Sequence, residues 1–593
     1  FFEDAVHESI QDGTLNDNAE AVKGLTTKEA RKKTVQLLKE TEQLVKVEPH
    51  KHQVGHSQRS HAVVEPMVSK QWFLNVQEMA KVSVDAVENG ETTFYPKGWE
   101  NTYFSWLREP KNWCISRQLW WGHQIPVFNC SDCGHQWASE EAETSCSKCN
   151  SSNVTQDPDV LDTWFSSGLW PFSTLGWPNE ERMKERGYDT FFPTTCLVTG
   201  FDIIFFWVAR MMMMSNKLTG QNPFKDIYIH AIVRDKQGRK MSKSLNNGID
   251  PLDMVDQYGA DAFRFTLAAG SGYNRGLNLD PERIAGYRNF INKIWNAFRF
   301  ISPFLEKGSS TLPKDLDDQE KWILSELNTI CQEMNSSMEE YRYDDSCAAI
   351  YSFVYDRFCS WFIELSKNIL HGEDQEKIER RSSVLKYCFR EIVALLHPFT
   401  PYITEELWTH LKEESEDLLI IHDYPEYKKE LDFSADQEMM NKFIEVITSI
   451  RNLRSSVNLK PKEEISVTLF TDDQDLKSFF LKTEKGFEDL AKVTKLEVLE
   501  KSATRPKQSI AKATAHTEVF IPLTGVINLD EQIAKLNKDK DKALKTLEKL
   551  DKKLSNPKFM DNAKPEVLEK VKTEHAEVTE KIKSIDSSIS NFS

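Results

Sequence analysis

The sequence lacks any apolar run long enough to cross a membrane. Its most apolar stretch, Ile203 to Met214, is much shorter than the roughly 20 residues that a membrane-spanning helix requires, and Arg210 lies within it. The first residues contain neither the basic segment nor the long apolar core of a secretory signal. We therefore expect no membrane partner, and we predict that residues 203–214 form a buried helix or strand.

Cysteine is too sparse for a disulfide scaffold. The chain has ten cysteines in 593 residues. Six of them occur singly, at Cys114, Cys196, Cys331, Cys347, Cys359 and Cys388. This distribution predicts a reducing compartment, and we expect a cytoplasmic protein.

Basic residues are fewer than acidic ones, which gives a formal net charge of −17. This charge disfavours non-specific binding to polyanions. It excludes no nucleic-acid partner, because a local basic face can lie on an acidic protein. The length predicts about three to four domains.

Composition and periodicity divide the chain into five segments. Residues 1–62 are polar, and residues 63–310 hold most of the Trp and Gly and mix strand-like with helical patterns, which indicates an α/β domain. From 311 to 462 apolar residues recur at helical spacing, which predicts an all-α bundle. Residues 463–525 predict a small α/β connecting segment, and residues 526–593 form the last segment.

The last segment has the 3/4 apolar spacing of a coiled coil. The apolar positions are Leu529, Ile533, Leu536, Ala543, Leu547, Leu550 and Leu554, then Val571, Val578, Ile582, Ile585 and Ile589. Between the two runs lies an interruption that contains Pro557 and Pro565. Two such runs around a proline-containing turn predict an antiparallel coiled-coil hairpin. A dimerisation zipper is the alternative.

Four cysteines have the spacing of a metal site. Cys130-x-x-Cys133 and Cys146-x-x-Cys149 are two knuckles twelve residues apart, and they can place four thiolates around one Zn²⁺. Four thiolates leave no position for water, so the predicted zinc is structural and orders an insertion at 127–156. Two disulfides or chance spacing are the alternatives.

A lysine-rich loop, Lys240-Met241-Ser242-Lys243-Ser244, follows a strand-like run and a turn at 235–238. Two ammonium groups three residues apart can close over a triphosphate and stabilise the charge that develops as pyrophosphate leaves. Alone, the pentapeptide would be a solvated basic turn. Its context favours the first interpretation, because Asp250-Pro251 and the run Tyr258–Arg264 follow, where we expect a helix that packs under the loop.

These motifs together resemble class I aminoacyl-tRNA synthetases. Four segments resemble the valyl members in particular, namely Ile115–Pro126, Asp162–Ser167, Trp170–Pro178 and Thr199–Trp207. Asp356–Trp361 and Leu396–Pro401 are similar to the family's anticodon-binding domain, and Asn556–Phe559 to its tRNA-contacting arm. An isoleucyl or leucyl synthetase is the alternative within the class.

The resemblance implies the fold class and the domains. It implies α/β plus all-α architecture. Residues 63–310 would be the second half of a Rossmann catalytic domain, with the zinc-ribbon insertion at 127–156 and the lysine loop at 240–244. Residues 311–462 would bind the anticodon, residues 463–525 would connect, and residues 526–593 would form a coiled-coil tRNA-binding arm. Residues 1–62 would be the remnant of an editing domain and its return linker.

The resemblance also implies site residues. Lys240 and Lys243 would be catalytic, and Trp164, Ile203 and Trp207 would form a narrow apolar slot that suits valine. The set of residues expected to bind ATP, with Asp202 on the ribose hydroxyls, is Gly200, Asp202, His230, Lys240, Met241, Ser242, Lys243 and Ser244. Without the resemblance, the sequence predicts that each tryptophan belongs to the hydrophobic core.

The implied reaction uses ATP and valine as substrates, Mg²⁺ as a cofactor that accompanies ATP, and tRNA(Val) as the acceptor. Arg451 and Arg454, on one helix face, are candidate contacts to tRNA, with salt bridging on a solvated helix as the alternative. We expect a monomer.

The sequence departs from the family in one respect. The second class I signature, H-x-G-H, does not occur in it. We therefore expect that this chain alone forms no valyl-adenylate. Three explanations are open: part of a longer protein, a split enzyme whose other half is a separate polypeptide, or a tRNA-binding derivative without catalysis.

Overall fold

The computed structural model describes residues 14–57, 61–64, 70–241, 245–273, 276–309, 311–460, 462–523, 529–555 and 565–592. The chain divides into two compact units, Phe1–Ile229 and His230–Ser593. Among the helices in these described ranges, none is both long enough and apolar enough to cross a membrane.

The first unit is organised around a three-stranded sheet. Strand Phe224–His230 lies between Thr93–Tyr95 and Thr194–Gly200 and runs parallel to Thr93–Tyr95. Helices Gln77–Glu88 and Ala209–Thr219 pack together beside it. The four methionines at 211–214 are buried in this core, so the prediction that residues 203–214 are buried is confirmed for that part.

Most of the remaining elements of the first unit are short, and the longest of them is the helix Thr27–Glu40. Its other helices of four or more residues are Asp17–Val22, Thr27–Glu40, Glu100–Leu107, Thr163–Gly168, Trp170–Ser173, Glu180–Glu185, Tyr188–Phe191 and the π-turn Ile204–Val208. Its other strands are Phe73–Leu74, Trp113–Cys114, Ser116–Arg117, Val127–Cys130, Gln136–Ala138, Val154–Gln156 and Val160–Leu161.

The second unit begins with a parallel pair of strands, Ile232–Arg234 and Gly276–Asn278, and continues as a bundle of helices. The helices are Pro251–Tyr258, Ala260–Ala269, Pro281–Leu305, Asp318–Glu339, Tyr343–Ser352, the π-helical Phe353–Phe362, Ile363–Leu370, Gln375–Leu396, Pro401–Thr409 and Ser434–Ser456. Apart from Pro251–Tyr258, these helices contribute apolar residues to one core, which includes fully buried Trp322 and Phe358.

A buried ion network holds two helices of this bundle. Arg381 and Glu320 are both fully buried, and the Arg381 guanidinium donates to the Glu320 carboxylate at 3.0 Å. Asp317 accepts from Arg381 at 2.9 Å and also caps the helix that begins at Asp318. Because each buried charge has an opposite partner, the network avoids the large cost of an unpaired buried ion.

A mixed four-stranded sheet follows the bundle. Its strand order is Val493–Leu499, Ile465–Phe470, Glu518–Pro522, Ser509–Ala513, with the first pair parallel and the others antiparallel. Helices Gln474–Lys482 and Glu484–Ala491 lie between the first two strands in sequence.

Two long helices, Leu529–Leu554 and Pro565–Phe592, end the chain and pack against each other. Lys540 pairs with Asp586, and His575 pairs with Asp551. The partner number falls as the residue number rises, so the helices run antiparallel. Ala543, Leu550 and Val571 are buried between them. Asn556–Phe559 lies outside the described residues.

We expect that Leu550→Ala destabilises this helix pair, because Leu550 is only 4% exposed. Leu544 on the same helix is 42% exposed and provides a control of the same residue type. Loss of a buried leucine costs about 2 kcal/mol or more, whereas Leu544→Ala should cost well under about 0.5 kcal/mol. Amide hydrogen exchange of residues 540–555 measures both values. Equal effects would contradict the packing of the two helices.

Candidate functional site

The predicted nucleotide-binding residues of the first unit lie where the strand Thr194–Gly200 ends. Gly200 is buried at the last position of the strand, and Asp202 is exposed in the short 3-10 turn Phe201–Ile203 that follows. Ligands of open α/β sheets commonly bind beyond the carboxyl ends of strands. The exposed carboxylate of Asp202 is therefore available to a ligand hydroxyl at such a place.

The three predicted pocket residues lie on neighbouring elements of the same unit. Trp164 is on the helix Thr163–Gly168, which packs against the π-turn that carries Trp207. The Trp207 indole N–H donates to the carbonyl of Ser167 at 3.2 Å. Ile203 directly precedes the turn. All three side chains are half-buried, so they could line an apolar slot that a ligand completes.

Further aromatic side chains surround these residues. The Trp164 ring stacks with Phe206 at a centroid distance of 5.7 Å, and Trp170 lies 5.9 Å from Trp207. Phe206 is 43% exposed. Such rings offer a large apolar area with little conformational freedom to lose when a small side chain binds.

A buried aspartate that the sequence analysis missed fixes the position of Trp164. One oxygen of Asp162 accepts from the backbone N–H of Trp164 and caps its helix. The other accepts from the Trp113 indole at 2.9 Å and pairs with the guanidinium of Arg117 at 2.8 Å and of Arg210 at 3.4 Å. The sequence signal was an aspartate directly before a helical run.

Arg210 completes this network. Its guanidinium lies 4.0 Å from the centre of the Trp113 ring, and burial lowers its pKa to about 10. It stays charged at neutral pH, so the buried Asp162 carboxylate keeps an opposite charge beside it. These contacts of Asp162 therefore fix the start of the helix that carries Trp164.

The second unit contains His230 and the lysine loop. The Nδ1 atom of the His230 ring lies 2.9 Å from the carbonyl oxygen of Ala231. Lys240 is exposed, and its backbone forms an antiparallel bridge with Arg234. Met241 packs against a small apolar cluster, defined by buried Ala262, Leu279 and Ile284. Ser242, Lys243 and Ser244 lie outside the described residues.

Asp235 organises the turn before the loop, and it is a second residue that the sequence analysis did not identify. It is 5% exposed. Its carboxylate accepts from the backbone of Gln237 and Arg239, from the Arg239 side chain and from the Asn247 amide. The Asn247 amide also donates to the carbonyl of Lys240 at 3.2 Å. The Asp235 carboxylate thus holds both the chain before the loop, at Gln237 and Arg239, and the chain after it, at Asn247.

These donors, the Asn247 amide first, outweigh burial and lower the pKa of Asp235 to about 2. A folded-state pKa below the ordinary value of about 3.9 means that the stabilisation is complete above about pH 4 and is lost as the pH falls through about 2. The carboxylate is therefore ionised and holds the loop at neutral pH.

We expect that Asp235→Asn loosens residues 235–247, because an amide cannot accept all four donors. The backbone amides of Gln237 and Arg239 should exchange with solvent about tenfold faster at pH 7. Asp253→Asn, at an exposed position in the next helix, is the control and should leave them unchanged. An unchanged rate in Asp235→Asn would show that the carboxylate does not hold the turn.

The four predicted metal ligands come together in the insertion. Their sulfur atoms all lie within 4.8 Å of one another. The distances Cys130–Cys149 and Cys133–Cys146 are both 3.6 Å. A disulfide requires about 2.05 Å, whereas four Zn–S bonds of about 2.3 Å place sulfurs about 3.8 Å apart. The cluster therefore fits a tetrahedral metal and does not fit two disulfides.

The two knuckles have the same backbone geometry. The N–H of Gly134 donates to the carbonyl of Cys130, and the N–H of Asn150 donates to the carbonyl of Cys146, each at 2.9 Å. Gly134 and Asn150 both have positive φ, a conformation that Gly and Asn adopt most readily. These turns aim both thiols of each knuckle at one point. The strands Val127–Cys130, Gln136–Ala138 and Val154–Gln156 form an antiparallel sheet around them.

We expect about one zinc ion per chain, lost in Cys146→Ser and retained in Cys114→Ser. Cys146 is fully buried in the cluster, whereas Cys114 is a half-buried cysteine outside it. Elemental analysis of the purified protein measures the zinc content, and thiol titration under denaturing conditions counts the free cysteines. Two disulfides in place of zinc would contradict the prediction.

The structure places the two predicted tRNA-contacting arginines in intramolecular contacts. Arg454 is 6% exposed and donates to the carbonyls of Ala491, Lys460 and Glu463. Arg451 donates to the carbonyl of Leu490 and lies 5.0 Å from the ring centre of Trp361. Their donors hold the helix end at 490–491, and contact of either side chain with tRNA stays a prediction.

Three protein families match consecutive parts of the chain. Residues 14–280 match tRNA synthetases class I (I, L, M and V). Residues 320–469 match the anticodon-binding domain of tRNA ligase, and residues 528–593 match the valyl tRNA synthetase tRNA binding arm.

Among curated proteins, the chain is similar to several that are named valine–tRNA ligase. The one from Clostridium acetobutylicum is 43% identical over 561 residues, which are 94% of this chain and 63% of that protein. The one from Thermotoga maritima is 42% identical over 94% of this chain and 63% of that protein. The one from Syntrophotalea carbinolica is 42% identical over 96% and 64%. The chain spans less than two thirds of the length of these relatives.

Proposed function

Because this chain belongs to the class I aminoacyl-tRNA synthetases, in the valine–tRNA ligase family, we propose that its protein activates valine with ATP and transfers it to tRNA(Val). The reaction has two steps. The valine carboxylate first attacks the α-phosphorus of ATP, and a hydroxyl of the terminal adenosine of tRNA then attacks the resulting adenylate.

Lys240 carries this proposal. Its ammonium group is exposed, and among the described residues no carboxylate forms an ion pair with it. Its backbone is held by the bridge to Arg234 and by the Asn247 amide. A free charge on a fixed base can meet a phosphate without first breaking an ion pair, and this is the arrangement that stabilises a leaving pyrophosphate.

In the first step a bond forms between a valine carboxylate oxygen and the α-phosphorus. The bond from that phosphorus to the bridging oxygen of the β-phosphate breaks, and pyrophosphate leaves with the electron pair. Lys240 and Lys243 would stabilise the negative charge that develops there. Mg²⁺ bound to ATP would supply further charge neutralisation. Asp202 would accept a hydrogen bond from the ribose, next to Gly200, and His230 would lie near the nucleotide.

The valine side chain would bind in the slot lined by Trp164, Ile203 and Trp207. The slot is bounded by rings whose positions are fixed by the Asp162 network and by the Ser167 carbonyl. A rigid apolar wall excludes the additional methylene of isoleucine. Threonine has nearly the same shape as valine, so an apolar slot rejects it weakly, and valyl enzymes are themselves the standard example of this limit, at about 10²-fold.

The tRNA would contact the helical bundle through its anticodon and the two antiparallel helices through its body. Single-stranded loops are recognised by stacking and by hydrogen bonds to base edges, and the bundle offers exposed aromatic side chains such as Tyr355 and Tyr402. Arg451, whose side chain is exposed, remains a candidate for contact with tRNA, whereas Arg454 could make such a contact only by giving up its carbonyl partners. If one chain binds one tRNA in this way, the protein would act as a monomer.

The four-cysteine cluster would hold a structural Zn²⁺. Four thiolates complete the coordination of the ion and leave no position for a substrate, so Zn²⁺ would order the insertion at 127–156 and take no part in the chemistry. Reduced thiols are needed for this, which agrees with a cytoplasmic protein.

We expect valine-dependent exchange of label between ATP and pyrophosphate by the full-length protein, meaning this chain together with the part that carries H-x-G-H, on the same or on a separate polypeptide. Lys240→Ala should lower the exchange rate about 10²-fold, because one charge that stabilises the leaving group is lost. Lys236→Ala is the matched control: Lys236 lies in the same turn, pairs with Asp280 and Glu282, and should leave the rate within about twofold.

Two further results of this assay decide between the alternatives. The present chain alone should show no exchange, because it contains no H-x-G-H sequence. If the full-length protein also shows none and still binds tRNA(Val), it is a tRNA-binding protein without catalysis. Exchange with isoleucine or leucine in place of valine would contradict the proposed substrate.

A further inference from the structure

The two tryptophans of the slot are held in different ways. The Trp207 indole N–H donates to the carbonyl of Ser167, so a directional bond fixes the orientation of that ring. Among the residues that the structure describes, no hydrogen-bond partner holds the indole N–H of Trp164, and its ring is held by packing. The orientation of Trp164 therefore depends on the side chains that its ring contacts.

Phe206 provides the ring that stacks on Trp164. The two ring planes are inclined by 28°, and their centres lie 5.7 Å apart. The Phe206 ring in turn lies 5.5 Å from the guanidinium of Arg210, within the range of a cation–π attraction. Phe206 belongs to the π-turn Ile204–Val208, and Arg210 follows four residues later in the helix Ala209–Thr219. The Phe206 ring thus joins Trp164 to a buried cation.

These contacts form a closed path around Trp164. Asp162 accepts from the backbone N–H of Trp164 and also pairs with Arg210. Both members of this ion pair are buried, with Asp162 4% and Arg210 6% exposed, so neither can move without leaving the other unpaired. The ion pair therefore fixes the backbone of Trp164 directly and its ring through Phe206. Phe206 is the exposed member of the path, so its replacement leaves the core intact.

The preceding residue, Phe205, has the same chemistry and a different ring partner. It stacks on Trp106, with ring centres 4.7 Å apart and planes inclined by 29°. It lies 5.6 Å from the Arg210 guanidinium, almost as close as Phe206 does. The two phenylalanines thus share one turn and one cation, and only Phe206 stacks on a wall of the slot.

We propose that Phe206 is a positioning residue that sets the width of the slot: it holds the Trp164 ring in place, and the slot therefore rejects side chains larger than that of valine. The proposal rests on the proposed function, because it takes the slot to be the amino-acid site. One methylene in an apolar pocket changes binding by about 10–200-fold, and a wall that yields loses much of that discrimination. Without the Phe206 ring, Trp164 would rotate about its side-chain bonds and admit the larger group.

The test is the replacement Phe206→Leu in the full-length protein, which keeps an apolar side chain and removes the ring. Titration calorimetry measures the dissociation constants of valine and isoleucine. We expect the ratio of the isoleucine to the valine constant to fall at least about tenfold. In the exchange assay, KM for valine should rise about threefold, and kcat should stay within about twofold. Phe206→Tyr retains the ring and should keep the ratio within about twofold of the wild-type value.

Phe205→Leu is the matched control. It removes a ring of the same type from the same turn, at a similar distance from Arg210, and leaves the stack on Trp164 in place. The ratio of the dissociation constants should stay within about twofold of the wild-type value. An equal fall of the ratio in Phe205→Leu and Phe206→Leu would show that any loss of aromatic packing in this turn loosens the slot, and it would overturn the proposal.

A pair of stereoisomers separates a yielding wall from a slot that loosens as a whole. Relative to valine, isoleucine and alloisoleucine carry the additional methyl group on different γ-carbons of the side chain. If only the Trp164 wall yields, Phe206→Leu should improve the binding of one of these two amino acids at least about fivefold more than that of the other. An equal improvement of both would contradict the assigned role of Phe206.

The outcomes separate this proposal from the proposed function. An unchanged ratio in Phe206→Leu would overturn the proposal and leave the proposed function intact. A ratio that falls, in a protein whose wild type binds valine and catalyses no exchange, would support the proposal and overturn the proposed function. A wild-type protein that binds no valine would overturn both. Thermal unfolding checks that each variant folds, and Phe206→Met decides in place of Phe206→Leu if that variant does not.

Discussion

The burial of aspartate carboxylates is the constraint on which the candidate apolar slot and the lysine loop depend. A buried carboxylate is costly unless donors surround it, so each such group fixes the segments that supply its donors. Asp162 collects the Trp113 indole, two arginines and the amide of Trp164. Asp235 and Asp261 do the same for the lysine loop and for the helical bundle. The first two of these groups thereby fix the backbone at Trp164 and at Lys240.

Asp235 and Asp261 differ in the balance between burial and donors. Four donors, one of them the charged Arg239, lower the pKa of Asp235 to about 2. Burial raises the pKa of Asp261 above its ordinary value, because two backbone amides and the nearby Arg264 do not fully compensate for it. The Asp235 carboxylate therefore strongly stabilises the turn at 235–238. The charged form of Asp261 is less well stabilised by its surroundings than that of Asp235.

The sequence could predict the local parts of the sites, but it could not predict their long-range supports. The spacing of Cys130, Cys133, Cys146 and Cys149 was sufficient, because each knuckle is a turn of a few residues. Asp261 meets its partner Ile403 across 142 residues, and no periodicity reveals such a contact. Arg451 and Arg454 show the same limit. Helical spacing placed them on one face, but it could not show that both guanidinium groups donate to the carbonyls at 490–491.

The contrast between Lys240 and Arg454 shows how the fold treats two kinds of basic side chain. Arg454 is buried, and three carbonyls satisfy its donors, so moving it would leave those groups without partners. Lys240 is exposed on a backbone held by hydrogen bonds. Only the second arrangement lets a charge approach a phosphate and withdraw again at little cost. If the loop binds phosphate as proposed, its rigidity lies in the backbone and in Asp235, and its freedom lies in the lysine side chain.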